Sequence, residues 1–344
     1  MPIVNANDHL TDAFSVIFLG LLGLAVKYLG IHPKENGLFD KLAELCVPGG
    51  PYVRPYFGVE GLDATACSVV GLLTETMSPA SLPFVSYFAG AAAPVYFLLV
   101  AVEGHRQNAP WLIALPYLYT LATQTAGFCL VAPLYAFIYV ISGAPRRAAS
   151  TVTKRQAEAI LFSFFVGGYA PTIAMLLTQN PYAIVAWQFF PLIVTFLHYT
   201  YLLLAPKSTE SGYSTLRSGY VLTFCISAAI HQFILVPRLL AEDPIAEFSK
   251  TFLPSVALLD SSHTLEQLVK DLLQWDVVLG NGAISLLTLW WAESSGEFVG
   301  LLLLQLIGSV FFGPGAAVAA ALIWRETVID ETVKKVAIAP KKNQ

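Results

Sequence analysis

Charged side chains are scarce in this sequence. Asp, Glu, Lys and Arg make up 12% of its 344 residues, and hydrophobic residues make up 56%. A soluble domain carries about 25% charged residues, so roughly half of the usual solubilising charge is missing. The net charge of −4 and the scattered basic residues also exclude a nucleic-acid-binding surface. The composition predicts an integral membrane protein in contact with membrane lipid.

Several catalytic motifs are missing as well. The sequence has no DDxxD motif and no Asp-Asp dipeptide, whereas Mg²⁺-dependent ionisation of a prenyl diphosphate needs several carboxylates around the metal. HExxH and GxSxG are also absent, which argues against an intramembrane zinc protease and a serine hydrolase. The missing aspartate motif therefore argues against a Mg²⁺-dependent membrane prenyltransferase.

Cysteine is rare, and its spacing is irregular. The four residues, Cys46, Cys67, Cys129 and Cys225, lie far apart and form no CxxC or Cys/His pattern. Three of them lie in apolar segments, where a free cysteine usually packs as a small hydrophobic residue. The spacing predicts neither a disulfide framework nor a metal site.

Long apolar runs predict an all-α, polytopic transmembrane helix bundle of roughly eight to nine spans, because a spanning helix needs about 20 mainly apolar residues. We expect one domain over residues 1–344, with a polar surface segment at about 241–270. The predicted spans are Thr11–Leu29, Leu62–Met77, Leu82–Val102, Tyr117–Ile141, Ala157–Leu177, Tyr182–Leu204, Tyr220–Leu240, Leu272–Trp291 and Phe298–Trp324.

Asp276 is the first candidate for a functional residue, since an ionisable group inside a span costs about 2.5–3.5 kcal/mol and usually marks function. On a helix it shares a face with Leu279, Gly280 and Ala283, small or apolar residues that leave room for a ligand or a close helix. A neutral Asp in an apolar pocket can act as a general acid. The alternative is an Asp near the helix end that is hydrogen-bonded or hydrated by headgroup water.

Glu60 and Asp63 are candidates for a second acid. They lie three residues apart, and Cys67 continues the same helical stripe. Acidic residues are also favoured at a helix N-terminus by its free N–H groups and dipole. Capping and a catalytic role both remain open for this pair.

Polar residues in two further spans are weaker candidates. His231 and Gln232 lie in the seventh predicted span, where a lone buried histidine is more often structural than catalytic. Trp187 and His198 are eleven residues apart and fall on one helical face. We regard them as candidate substrate contacts, with helix packing as the alternative.

Charged residues at the ends of two spans have a simpler interpretation. Glu103 and His105 follow the third span, and Arg325 and Glu326 follow the last one. Long charged side chains at such positions usually extend into the interfacial water. We expect these four side chains to be solvated.

Three segments together carry a family resemblance: RPYFGVEGLDATACSVVGLLTETMSP (54–79), LLQWDVVLGNGAISLLTLWW (272–291) and FFGPGAAVAAALIWRE (311–326). They resemble the fungal integral-membrane terpene cyclases of meroterpenoid pathways, in particular the larger kind associated with ascofuranone- and macrophorin-type products. The likeness extends over most of the chain through the order of its helices.

The resemblance implies a cofactor-free cyclase that acts on a small prenylated substrate. Such enzymes protonate a terminal epoxide or alkene of a farnesyl chain, often attached to a phenol or quinol, and then close rings through carbocations. Asp276 fits the acid, and Trp275 fits a pocket wall or a ring that stabilises a cation. Asp63 or Glu60 matches the family's second acid only loosely, because the local pattern differs. The family also suggests a multi-pass protein of the endoplasmic reticulum.

Two other classes remain as alternatives. ISAAIHQF resembles the buried-histidine helix of membrane-bound O-acyltransferases, in which His231 would be the general base. A transporter without enzymatic activity is the second alternative, although the sequence has no internal repeat.

Overall fold

The computed structural model describes residues 6–144, 146 and 152–338. These ranges fold into helices and contain no strand, only an isolated bridge between Thr153 and Ser211. The all-α prediction is therefore confirmed. The helices are α1 (Ala6–Ala25), α2 (His32–Glu35), α3 (Leu38–Glu44), α4 (Glu60–Thr76), α5 (Leu82–Tyr87), α6 (Pro94–Gly104), α7 (Pro116–Ala126), α8 (Phe128–Ile141), α9 (Lys154–Ser163), α10 (Ala170–Thr178), α11 (Pro181–Gln188), α12 (Phe190–Leu204), α13 (Tyr213–Leu239), α14 (Pro244–Phe252), α15 (Leu265–Trp290), α16 (Ser295–Phe312) and α17 (Pro314–Ile338).

Three π-helical segments join consecutive helices into longer rods. Val26–Ile31 joins α1 to α2, Phe88–Ala92 joins α5 to α6, and Phe164–Tyr169 joins α9 to α10. A π turn widens the helix locally and is frequently found at a functional site. These three segments converge on one region of the bundle, which is described below.

Within the described residues, six helical rods are long and apolar enough to cross a membrane. They are His9–Glu35, Leu82–Gly104, Lys154–Thr178, Tyr213–Leu239, Leu265–Trp290 and Ser295–Phe312. The pair α11–α12, bent by 55°, makes a seventh if it is counted as one span. The predicted number of eight to nine spans is not confirmed, because three of the predicted segments are not one continuous spanning helix. The first, Leu62–Met77, corresponds to α4, which is not among these rods.

The predicted span Tyr117–Ile141 is a helical hairpin. The rings of Tyr119 in α7 and Tyr135 in α8 lie 4.9 Å apart, whereas sixteen residues of one continuous helix would separate them by about 24 Å. Both ends of the hairpin return to the same place, since Pro116 packs against Gly104 and Tyr139 bonds to the neighbouring Glu103. The prediction of a single span here is wrong. The chain enters the bundle, turns at Gly127 and leaves on the same side.

The predicted span Phe298–Trp324 is also divided by a glycine. α16 ends at Phe312, Gly313 adopts φ +89°, and α17 starts at Pro314. Gly308 packs directly against Ala317, so the two helices run back along each other. A positive φ suits glycine because it has no Cβ. The turn explains why one apolar run in the sequence contributes two antiparallel helices.

A buried ionic network ties the open end of the α7–α8 hairpin to the rest of the bundle. Glu103 accepts hydrogen bonds from Arg106 Nε at 2.7 Å and from the Tyr139 hydroxyl at 2.8 Å, and it also pairs with Arg325. Arg106 pairs with Glu326 as well. All four charged side chains are at most 4% exposed. The expectation that Glu103, Arg325 and Glu326 are solvated is therefore wrong, because each is neutralised by a partner from a distant part of the chain.

Cys46 and Cys67 form a disulfide bond, with their Cα atoms 5.9 Å apart. The sequence-based expectation of no disulfide was wrong, because the chain turns back between α3 and α4 and brings together two cysteines that are 21 positions apart. The bond fastens α4 to the turn that follows α3. Cys129 and Cys225 are free.

The polar segment at 241–270 is not a continuous loop. It contains α14, whose first turn is capped by the Asp243 side chain, and the beginning of α15. Thr264 and Gln267 form a reciprocal capping box at the start of α15, which satisfies N–H groups that have no partner in the helix. This cap fixes where the helix carrying Asp276 begins.

Candidate active site

An internal cavity of about 270 Å³ lies between α4, α7 and the three rods that contain π turns. Its volume is close to the lower end of the range for small-molecule sites, roughly 300–1,000 Å³. Each π segment contributes to the wall, through Leu29, Phe88 and Phe164 respectively. The sequence analysis did not identify these positions, because a π turn leaves no mark in a hydropathy pattern.

Asp276 is the only Asp or Glu among the residues that line the cavity. It lies near the middle of α15 and is 6% exposed. Its Oδ1 accepts a hydrogen bond from the backbone N–H of Cys129 at 2.7 Å. Cys129 belongs to the first turn of α8, whose free N–H groups and positive dipole end favour an oxygen acceptor. The carboxyl is therefore held at a fixed position on the cavity wall.

Gly127 forms the tip of the hairpin beside Asp276. Its φ of +91° and ψ of +152° lie in a region used almost only by glycine. A Cβ at this position would lie 2.4 Å from Leu29 Cδ2 and 3.2 Å from Asp276 Oδ1. Only glycine lets the α8 N-terminus approach the carboxyl closely at this point.

We expect Gly127→Ala to destabilise the protein by about 1–3 kcal/mol through backbone strain alone. The added methyl group also displaces Leu29 or Asp276, so activity should fall with stability. Thermal unfolding of the purified protein in detergent measures the first effect. Gly282→Ala is the matched control, because Gly282 lies within α15 and a Cβ there meets nothing within 4 Å. Equal melting temperatures for the two variants would contradict this role of Gly127.

Aromatic rings form much of the cavity wall. The aromatic residues in its lining include Phe88, Phe97, Phe128, Phe164, Trp187 and Phe190. Trp187 donates its Nε1–H to Thr172 Oγ1 at 2.8 Å, which satisfies its polar atom and fixes the indole. Aromatic faces stabilise a nearby cation through their quadrupoles. The wall is therefore suited to an apolar ligand that carries a positive charge transiently.

Trp275 and Gly280, which the sequence analysis singled out near Asp276, lie outside the cavity lining and support residues around it. Trp275 does not line the cavity: it stacks on Tyr28 with ring centroids 3.6 Å apart and donates its Nε1–H to the Ser255 carbonyl. At Gly280, a Cβ would lie 2.4 Å from the Phe128 ring. Phe128 is part of the wall, so the glycine allows this ring to occupy its place.

The predicted second acids lie away from the cavity. Asp63 Oδ1 accepts a hydrogen bond from the Phe57 N–H at 2.6 Å in the first turn of α4. Glu60 is exposed at the same helix end, and Cys67 is held in the disulfide. Further along α4, Val69, Leu72 and Leu73 do line the cavity. The structure thus brings the helix to the site, but not its acidic residues.

His231 and Gln232 contact the end of α16 instead. His231 Nε2 lies 3.1 Å from the Val310 carbonyl oxygen, and Gln232 Nε2 donates to the Phe311 carbonyl. These carbonyls belong to the last turn of a helix, where no intrahelical partner is available. Both side chains lie outside the cavity lining. His198 is fully buried behind the cavity and packs against His105 with ring centroids 4.4 Å apart.

Comparison with known proteins identifies the class. The CtvD domain family matches residues 15–329, and the chain belongs to this family. It is 25% identical over 272 residues to a protein of Aspergillus terreus named terpene cyclase ctvD, covering 70% of this chain and 75% of the relative. It is 24% identical over 375 aligned residues to terpene cyclase DEP1 of Alternaria brassicicola, covering 91% of this chain and 98% of the relative.

Terpene cyclase ascI of Acremonium egyptiacum is a further relative, with 26% identity over 246 residues and 64% of each chain covered. No solved structure matches. The resemblance to fungal meroterpenoid-type cyclases seen in the sequence is confirmed by these relatives. The helix bundle with its internal cavity is therefore the structure of one member of this family.

Proposed function

We propose that the chain is a membrane-bound terpene cyclase that transfers a proton from Asp276 to the terminal epoxide or alkene of a farnesyl-type chain. The observation that carries this proposal is the carboxyl of Asp276 on the wall of an apolar, aromatic-lined cavity. An acid held in such a site can protonate a weakly basic group because water is excluded and the geometry is fixed. The names of the relatives support the same activity.

The reaction needs no oxidant or reductant. The O–H bond of the protonated carboxyl breaks as its proton moves to the epoxide oxygen, whose C–O bond opens, or to an alkene carbon. The electrons of a neighbouring double bond then form a new C–C bond, and the positive charge moves along the chain. The final cation loses a proton, or captures water and then loses a proton, and the released proton balances the one that must be returned to the Asp276 carboxylate before the next turnover. The product is an isomer of the substrate or its hydrate.

The residues around the acid have distinct tasks in this mechanism. The hydrogen bond from the Cys129 N–H fixes Oδ1, so we assign the transferable proton to Oδ2. The rings of Phe128, Trp187 and Phe190 line the space in which charge develops and stabilise it through their π faces. The shape of the cavity selects one folded conformation of the chain, which lowers the entropic cost of ring closure.

The substrate is expected to be neutral and lipid-soluble, with a phenol or quinol as the head group that the family resemblance suggests. We expect it to enter from the membrane, and we expect the enzyme in the endoplasmic reticulum. An acyltransferase mechanism with His231 as the general base finds no support, since its Nε2 contacts Val310 outside the cavity lining.

The test is turnover by yeast microsomes containing the chain. Farnesylated phenols with and without a terminal epoxide are supplied, and products are followed by LC-MS. We expect cyclic isomers of unchanged mass, or hydrates, that are absent from microsomes lacking the chain. Farnesyl diphosphate serves as the anionic control and should not react. Absence of cyclic products from every epoxide and alkene substrate would disprove a cyclase function.

A further inference from the structure

A second polar cluster lies at the end of the cavity opposite Asp276. Tyr117 lines the cavity at the start of α7. Its ring centroid lies 6.0 Å from that of His105 and 5.5 Å from that of His198. Ten residues of α7 separate Tyr117 from Gly127, which corresponds to about 15 Å along the helix. Because Gly127 adjoins the Asp276 carboxyl, the acid and the Tyr117 cluster mark two ends of one elongated site.

The Tyr117 hydroxyl is buried without a hydrogen-bond partner among the described residues. His198 is fully buried beside it and lies outside the cavity lining. His105 Nδ1 lies 2.7 Å from the Ala101 carbonyl, so this nitrogen donates and Nε2 of the neutral ring is an acceptor. A buried polar group without a hydrogen bond costs about 1–3 kcal/mol. The buried Tyr117 hydroxyl belongs to a residue of the cavity lining and therefore marks a place where a ligand supplies the missing partner.

The charge of the cavity restricts the chemistry of that ligand. No Lys, Arg or His is among the residues lining the cavity, and Asp276 is the only acidic one. A diphosphate or carboxylate head group would therefore be desolvated without a counter-charge, which is strongly unfavourable. A neutral hydroxyl both donates and accepts a hydrogen bond, and it fits a tyrosine hydroxyl backed by two imidazoles.

We propose that Tyr117 binds a neutral hydroxyl on the head group of the substrate and determines head-group specificity, with His105 and His198 positioning its ring. This inference rests on the proposed cyclase function, because it assigns the head group to one end and the reacting terminus to the other.

The experiment combines one protein change with one substrate change. The tested bond is the one that the substrate phenol donates to the Tyr117 oxygen: Tyr117→Phe removes the acceptor oxygen, and O-methylation of the substrate phenol removes the donated hydrogen. A neutral hydrogen bond contributes about 0.5–1.5 kcal/mol, so each change alone should raise KM roughly 3–10-fold with little effect on kcat. Together they should raise KM no further than either change alone, because both remove the same bond.

Tyr119→Phe is the matched control, since it makes the same change on the same helix at a position that does not line the cavity. We expect its KM to equal that of the wild type. His198→Phe tests the positioning role and should also reduce the preference for the free phenol over its methyl ether. Melting temperatures in detergent verify that each variant is folded.

The outcomes separate this inference from the proposed function. If the wild type cyclises both substrates but the effects of Tyr117→Phe and methylation multiply, the head group does not contact Tyr117 and the inference is overturned. The same holds if Tyr117→Phe lowers kcat alone. If the wild type cyclises neither substrate, the proposed function itself fails. If the two changes together raise KM no further than either change alone, the assignment is supported.

Discussion

Asp276→Asn should reduce cyclisation by roughly 10²–10⁴-fold, the usual contribution of general acid catalysis. The asparagine side-chain oxygen can still accept the hydrogen bond that the Cys129 N–H gives to Oδ1 at 2.7 Å, so the hairpin tip should keep its place. What the variant lacks is a carboxylic proton. LC-MS of products from microsomes with matched amounts of each protein measures the loss.

Asp271→Asn provides the control for this variant. Asp271 is on the same helix and is 6% exposed, as is Asp276, but its Oδ1 accepts the Ser255 N–H and it does not line the cavity. Its replacement should leave cyclisation near the wild-type rate. Full activity of Asp276→Asn, or an equal loss in both variants, would show that the proton comes from elsewhere.

Glu103→Gln should have the largest effect on stability. The carboxylate lies between Arg106 and Arg325, and all three side chains are at most 4% exposed. Neutralising Glu103 removes the charged partner that both guanidinium groups contact, while Arg106 keeps its pair with Glu326. Breaking a buried pair in this way costs about 3–5 kcal/mol. Thermal unfolding in detergent should show a clearly lower melting temperature.

The exposed pair between Lys154 and Glu210 supplies the comparison. Its side chains are 47% and 70% exposed, and such surface pairs contribute little to stability. Glu210→Gln should therefore unfold at nearly the same temperature as the wild type. If Glu103→Gln were equally stable, the buried network would not hold the open end of the hairpin in place.

The sequence predicted the all-helical fold because apolar runs of spanning length have few other solutions in a membrane. It also selected Asp276, since an isolated carboxyl in such a run is rare. It did not reveal the turn at Gly127, because hydropathy measures how apolar a segment is and not its direction. Thr123, Gln124 and Thr125 precede the turn, but this short polar stretch did not divide the predicted span.

The roles of the polar residues could not be predicted from the sequence alone. Glu103 and Arg325 are 222 positions apart, so each was interpreted as an isolated interfacial charge, and their pairing emerges only from the packing of α6 against α17. Trp187 was selected for its helical face and does line the cavity. His231 was selected because it is a lone histidine in an apolar span, and in the structure it lies beside the carbonyl groups at the end of α16. In each case tertiary contacts decide the role, and these are not encoded in local spacing.

The disulfide between Cys46 and Cys67 has a consequence for the orientation of the bundle. Such bonds persist in oxidising surroundings and are rare where thiols are kept reduced. We therefore expect the bonded end of the protein, with α3 and α4, on the oxidising side of its membrane. α3 packs against the start of α15, whereas the open end of the α7–α8 hairpin lies near Trp291 at the other end of that helix. Tyr117 is then expected nearer to the reducing side, with Asp276 between the two.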